Sequence, residues 1–163
     1  MEKDKFISVI KDHQNLIYKI CYSYCSNSEN REDLQQEILI QLWNSFSKFD
    51  GRVKLSTWIY RIALNTAITF YRNDNKHNDK KVSIDALIIS LSDFECVPEQ
   101  DENIAMLYQF IEKLNEMDKA LILLYLDDNK QKEMAEILGI TETNVAIKIC
   151  RIKKILKEQF SNN

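Results

Sequence analysis

The chain has 163 residues, two glycines, one proline and a formal net charge of −3, a length that suits one ordinary domain or two small ones. So little turn chemistry excludes a many-stranded sheet, which needs frequent Gly, Asn-Gly or Pro punctuation, and leaves an all-α fold as the expectation. No apolar run approaches the roughly 18 residues of a membrane span and no signal peptide opens the chain, so a cytoplasmic protein without membrane insertion is expected.

The charge is sorted along the chain. Residues 1–51 carry 6 basic and 8 acidic groups, residues 52–81 carry 7 and 2, residues 82–105 carry 0 and 6, and residues 106–163 carry 9 and 9. A basic block followed at once by an acidic one says more about partners than the total does. The cysteines, Cys21, Cys25, Cys96 and Cys150, include one helical-spaced pair but no second pair at zinc-site spacing. They read as buried free thiols, with no metal and no disulfide framework.

In chain order, Phe6, Ile10, Ile17, Ile20 and Tyr24 recur at helical spacing and predict a helix over about 3–26. "NSEN" interrupts it, and Asn30 is expected to cap a second helix with Glu32 and Asp33 in its first turn. That helix repeats Leu34, Ile38, Leu42 and Phe46 at i, i+4 to about Lys48. "KFDGRVK" is a loop around Gly51. A third helix from about Ser56 to Arg72 is expected to bury Ile59, Ile62, Ala63 and Ala67. After "YRNDNKHNDKK" periodicity is lost through about residue 103, apart from the apolar run "IDALIISL". So long an irregular stretch marks a boundary and predicts domains over 1–73 and 104–163 joined by an acidic linker, 74–103.

The second half opens with a helix at about 101–114, followed by "NEMDKALILLYLDD", an almost continuously apolar helix, and a short helix at about 131–138. Gly139 stands where a helix end takes a left-handed residue, Thr141 offers an N-cap, and the last helix runs to about 160. Ala135 is small at the crossing, and Val145, Ile149, Ile152 and Leu156 mark the buried face. These are the marks of a DNA-binding helix-turn-helix; an ordinary helical hairpin is the plainer alternative.

Three stretches carry a resemblance. "DLQQEILIQLWNSFSKFDGRVKLSTWIYRIALN" (33–65) resembles region 2 of the extracytoplasmic-function sigma factors, small promoter-specificity subunits of bacterial RNA polymerase. "QKEMAEILGITETNVAIKICRIKKILKE" resembles their region 4, and the intervening linker matches their two-domain order. The resemblance implies a transcription initiation factor, not an enzyme and without a cofactor. Its partners would be core polymerase (the clamp helices of the largest subunit and the flap of the second-largest), promoter DNA, and an anti-sigma or recruiting protein.

The resemblance assigns polymerase binding to Asp33, Gln36, Glu37 and Gln41, a polar face opposite the Leu34/Ile38/Leu42 stripe that suits a basic partner helix; a solvated face is the alternative. It assigns the −10 element to Phe49, Arg52, Lys54, Ser56, Thr57, Trp58, Arg61, Asn65 and Arg72. Cations interleaved with aromatics capture single strands and extruded bases, while an aromatic at the place of Trp58 also suits a core. Leu64 stands where arginine is common in the family, which predicts one lost contact. The six acidic residues of 82–105 suit either a basic polymerase surface or a solubilising linker.

For the −35 element the resemblance points to Thr141, Thr143, Asn144, Lys148, Arg151, Lys153 and Lys154. Lysine and serine are common in the family where this chain has Ala146 and Ile147, so phosphate-positioning charges persist while base-reading groups are thin. Soft contact with thymine methyls and docking of a recruiting protein both fit. A helix-turn-helix regulator without sigma activity would leave the first half without a purpose. Isolated histidines (His13, His77) and the lack of an evident nucleophile–base pair or phosphate loop argue against an enzyme.

Overall fold

The computed structural model describes residues 2–73 and 102–161, and every regular element among them is an α-helix. Contacts divide the chain into two compact units at residues 99/100. Most of the expected linker, with its apolar run, His77, Cys96 and the acidic block as far as residue 101, lies outside the described residues. No helix among the described residues is long and apolar enough to cross a membrane.

The first unit holds α1 (Glu2–Asp12), α2 (Gln14–Tyr24), α3 (Ser28–Phe46) and α4 (Leu55–Arg72). α3 packs on α4 and α2, α2 also on α4, and α1 on α2. The i, i+4 repeats explain the arrangement, because Phe6, Ile17, Ile20, Leu34, Ile38, Leu42, Ile59 and Leu64 are all essentially fully buried. Each contributes about 1.5–3 kcal/mol of transfer free energy.

Three local expectations are corrected. The single first helix is two helices, broken at His13, which leaves helical geometry at φ −119, ψ 16 and turns its ring Nδ1 to Val9 O at 2.8 Å. The next helix starts earlier than Asn30 implied, because Asn27 is the cap and its Oδ1 accepts from the Asn30 N–H at 2.7 Å. Glu29, not Glu32 or Asp33, therefore occupies the first turn. Ile62 is half-buried rather than core. Arg31 fixes the α2–α3 turn by donating to Cys25 O and Ser26 O at 3.0 and 2.9 Å, with its guanidinium 4.1 Å from the Tyr22 ring centroid.

The second unit holds α5 (Glu102–Glu112), α6 (Glu116–Leu126), α7 (Gln131–Leu138) and α8 (Glu142–Ser161). α6 is its core helix, with Ala120 to Leu124 at most 5% exposed, as its unbroken apolar run requires. Asn115 caps it, accepting from the Asp118 N–H at 2.9 Å. Between α7 and α8 the chain turns at Gly139, φ 69, whose N–H donates to Ala135 O at 2.8 Å, a left-handed C-terminus that costs glycine nothing. Thr141 Oγ1 then accepts from the Asn144 N–H at 3.1 Å. Val145, Ile149 and Ile152 seat α8 on α6 and α7, with Leu156 only half-buried. The unit is a helix-turn-helix supported by a buried helix.

Cys21 and Cys25 are buried and Cys150 is exposed, so the expectation of buried thiols fails at Cys150. Burial and the neighbouring Cys25 push the Cys21 thiol far above its ordinary range.

Candidate functional site

Three surfaces carry the predicted residues. The first lies on α3, where Asp33, Gln36 and Gln41 are exposed and Glu37 is half-buried. Gln41 Nε2 donates to Glu37 Oε1 at 3.1 Å, which orders one turn of the face. At about 100° per residue Asp33 and Gln36 lie roughly 140–160° round the helix from the Leu34/Ile38/Leu42 stripe, nearly opposite it, while Glu37 at roughly 100° and Gln41 at roughly 60° lie beside it. Ile40 falls among them and is 9% exposed, so the face is not wholly polar. Trp43, near it, is half-buried and sets its ring 5.1 Å from Phe6.

The second surface joins the α3–α4 loop to α4. Gly51 has φ 79, and Asp50 braces the turn: its carboxylate accepts from the Arg52 N–H at 3.1 Å and pairs with Arg52 Nε at 3.0 Å. Sequence reasoning missed Asp50; the Asp-Gly turn dipeptide was its signal. Arg52 and Lys54 are exposed, and Phe49 and Ser56 half-buried. Arg61, Asn65 and Arg72 fall within about 40° of one another, a stripe along α4, with Arg61 half-buried and the other two exposed.

Thr57 and Trp58 are 7% and 9% exposed. Trp58 projects about 20–60° from the stripe round α4. It is covered by Phe49, at 5.1 Å between ring centroids, and by Phe46 at 6.3 Å. Phe46 in turn meets Phe6 at 5.3 Å. An aromatic chain thus runs from α1 through α3 into the loop, and Trp58 is the loop's floor. Leu64 is fully buried, so its side chain belongs to the core.

The third surface is the outer side of α8. Thr141, Thr143, Asn144, Arg151, Lys153 and Lys154 are exposed and Lys148 is half-buried. Thr141 spends an oxygen lone pair on its capping bond, so part of its role is to start the helix. Ile147 is 60% exposed, and Thr143, Asn144, Arg151 and Lys154 lie within about 60° of it, whereas Lys148 and Lys153 flank the face on opposite sides. Two tethers escaped the sequence reading. Arg151 approaches the Asp118 carboxylate at 3.9 Å, and Lys153 Nζ sits 5.1 Å from the Tyr125 ring centroid. Both join α8 to α6, contacts that helical periodicity does not encode. Asp118 itself is buried, with Oδ1 lacking a hydrogen-bond partner.

Among the described residues no three His, Cys, Asp or Glu gather as a metal site. What the geometry offers is a partly acidic helix face, a basic–aromatic loop and stripe, and a cationic helix-turn-helix. That combination, in two helical units of which the second is a helix-turn-helix, suits a two-part DNA-binding protein of the transcription machinery. Residues 9–77 match the family model Sigma-70 region 2, and residues 104–156 match Sigma-70, region 4. The chain belongs to the sigma-70 family, as an extracytoplasmic-function RNA polymerase sigma factor that directs the polymerase to promoters and is not an enzyme.

It is 29% identical to ECF RNA polymerase sigma factor SigW of Bacillus subtilis over 98% of this chain and 90% of that one. It is 27% identical to SigV of the same organism, over 98% and 93%. In fold it resembles CnrH, solved with the cytosolic domain of CnrY, at TM-score 0.66 and 18% identity over 97% of this chain and 88% of that one. It also resembles RpoE of Bartonella quintana, solved with the anti-sigma factor NepR, at TM-score 0.72 and 18% identity over 96% and 97%.

Proposed function

We propose that residues 1–73 bind core polymerase and open the −10 element, that residues 74–103 link the two domains, and that residues 104–163 hold the −35 element with reduced base readout. The observation that carries the first assignment is the Arg61–Asn65–Arg72 stripe beside a loop whose Phe49 ring lies tilted against Trp58, 5.1 Å between centroids. Cations along a helix track a strand's phosphates, and an adjoining loop with an aromatic floor suits an unstacked base, whose extrusion costs a few kcal/mol. Asp33, Gln36, Glu37 and Gln41 meet the basic clamp helices of the largest subunit, where opposite charge steers docking. The second unit meets the flap of the second-largest subunit and the −35 duplex.

On that duplex, Arg151, Lys153 and Lys154 serve the phosphates, which position the helix without reading sequence. Ala146 and Ile147 have no hydrogen-bonding groups, so base readout is soft and a second protein reinforces recruitment. An anti-sigma protein is the matching class of regulator, as in the complex of RpoE with NepR. Partnership with the polymerase puts the protein in the cytoplasm. Reconstituted run-off transcription tests the reading: initiation from a duplex promoter is expected to require the chain, and Arg52→Ala with Lys54→Ala to reduce it more on duplex than on pre-melted template. Equal losses on both templates would reduce the loop to electrostatic docking.

A further inference from the structure

We propose that Ile147 reads thymine by seating its side chain on the 5-methyl group exposed in the major groove of the −35 duplex. The inference rests on the promoter reading above and names the base chemistry at that surface. At 60% exposed, Ile147 is the most exposed large apolar side chain among the described residues. It stands at the centre of the outer face of α8, where an ordinary solvated helix would carry a polar group. Its β-branched side chain is stiff at χ1, so the apolar surface it offers is held in place.

The surroundings choose the occupant. Arg151 and Lys154 lie beside Ile147 on the exposed face, and Lys148 and Lys153 flank it. Two of these cations also reach α6, Arg151 at 3.9 Å from the Asp118 carboxylate and Lys153 at 5.1 Å from the Tyr125 ring centroid. A cationic frame around an apolar centre is complementary to a polyanion that presents an apolar group. In the major groove that group is the thymine methyl, the one apolar feature in the edge pattern of the four base pairs. Thr143 adds a second methyl-bearing side chain to this face. Asn144, also on it, is the side chain whose amide suits an adjacent adenine. Ala146 is half-buried and lies about 100° round from Ile147, so it is at the margin of the contact.

The test uses the protein assembled with core polymerase. A −35 duplex is selected from a randomised library, each selected thymine is replaced by deoxyuridine, and affinity is measured for the wild type and for Ile147→Ala. Deoxyuridine removes the methyl and nothing else. Wild type is expected to enrich thymine at one or two positions and to lose about fourfold in affinity when the methyl there is removed, the worth of one buried methylene-sized group. Ile147→Ala, at an exposed position, keeps the fold and is expected to bind the two duplexes alike. Equal wild-type affinity for thymine and deoxyuridine, or an undiminished difference in Ile147→Ala, overturns the proposal. Ile147→Ala that leaves every DNA affinity unchanged also overturns it and assigns the face to a protein. Lys153→Ala with Lys154→Ala on the same duplex separates the two levels. A loss there with thymine and deoxyuridine equal refutes methyl readout and leaves −35 binding standing, whereas no loss in any variant refutes both.

Discussion

Replacing Trp58 by alanine separates two roles that the family resemblance leaves merged: a base-stacking aromatic and a packing aromatic. Trp58 is 9% exposed and meets the rings of Phe49 and Phe46 at 5.1 and 6.3 Å. Truncating a tryptophan this buried costs about 3–5 kcal/mol, as transfer free energy plus the cavity left behind. In a domain of this size 1 kcal/mol moves the midpoint by about 4–8 °C, so the unfolding transition of the first unit is expected to fall by at least about 12 °C. Calorimetry reads the shift, and hydrogen exchange of the α4 amides assigns it to the correct unit. Because the whole first unit is destabilised rather than the loop alone, transcription should fall alike on duplex and pre-melted templates. Arg52→Ala and Lys54→Ala change exposed side chains and should leave the midpoint within a degree or two while penalising the duplex template. A Trp58→Ala protein with an unshifted midpoint and a defect confined to duplex DNA refutes the packing argument and makes Trp58 a direct contact with the strand.

Charge reversal of Asp33 and Glu37 to lysine is expected to abolish capture of core polymerase in a pull-down while circular dichroism stays unchanged; retained capture removes α3 from the interface. Alanine at Lys153 and Lys154 is expected to weaken −35 binding similarly across sequences and to flatten the salt dependence by up to about 0.9 per lost phosphate contact. The effect of Lys154→Ala should be the larger, since Lys153 Nζ already rests near Tyr125. Gly139→Ala meets no atom within 4 Å of its new Cβ. Its cost is therefore only that of a left-handed alanine, about 1–2 kcal/mol. Gly139→Asn should recover part of it, and an alanine variant as stable as wild type would show that the turn relaxes.

Periodicity made the helices and their buried faces legible, since Leu34, Ile38 and Leu42, or Val145, Ile149 and Ile152, fall on one side of any α-helix whatever they pack against. Gly139 and Thr141 were legible for a local reason, because a left-handed end and an N-cap need particular residue types. The break at His13 was not, as apolar spacing carries across a one-residue interruption without losing its phase. Nor was the start of α3, where Asn27 and Asn30 are equally good caps by type. At the candidate surfaces, exposure followed the sequence for Asp33, Arg52, Asn65 and Lys154, whose charged or amide heads are costly to bury unpaired. For Trp58 the sequence left stacking and packing both open, and tertiary cover by Phe49 and Phe46 decides for packing. The Asp118–Arg151 and Tyr125–Lys153 tethers join helices that only the fold brings together.

Run-off transcription from a duplex promoter, with core polymerase, the chain and no other protein, is the most direct test. The promoter is taken from sequences selected by the assembled holoenzyme, and a copy pre-melted at the −10 element is assayed beside it. A transcript of defined start is expected only when the chain is present, with Arg52→Ala and Lys54→Ala losing more on the duplex than on the pre-melted copy. A chain that binds core polymerase yet yields no defined start on any selected duplex contradicts the account.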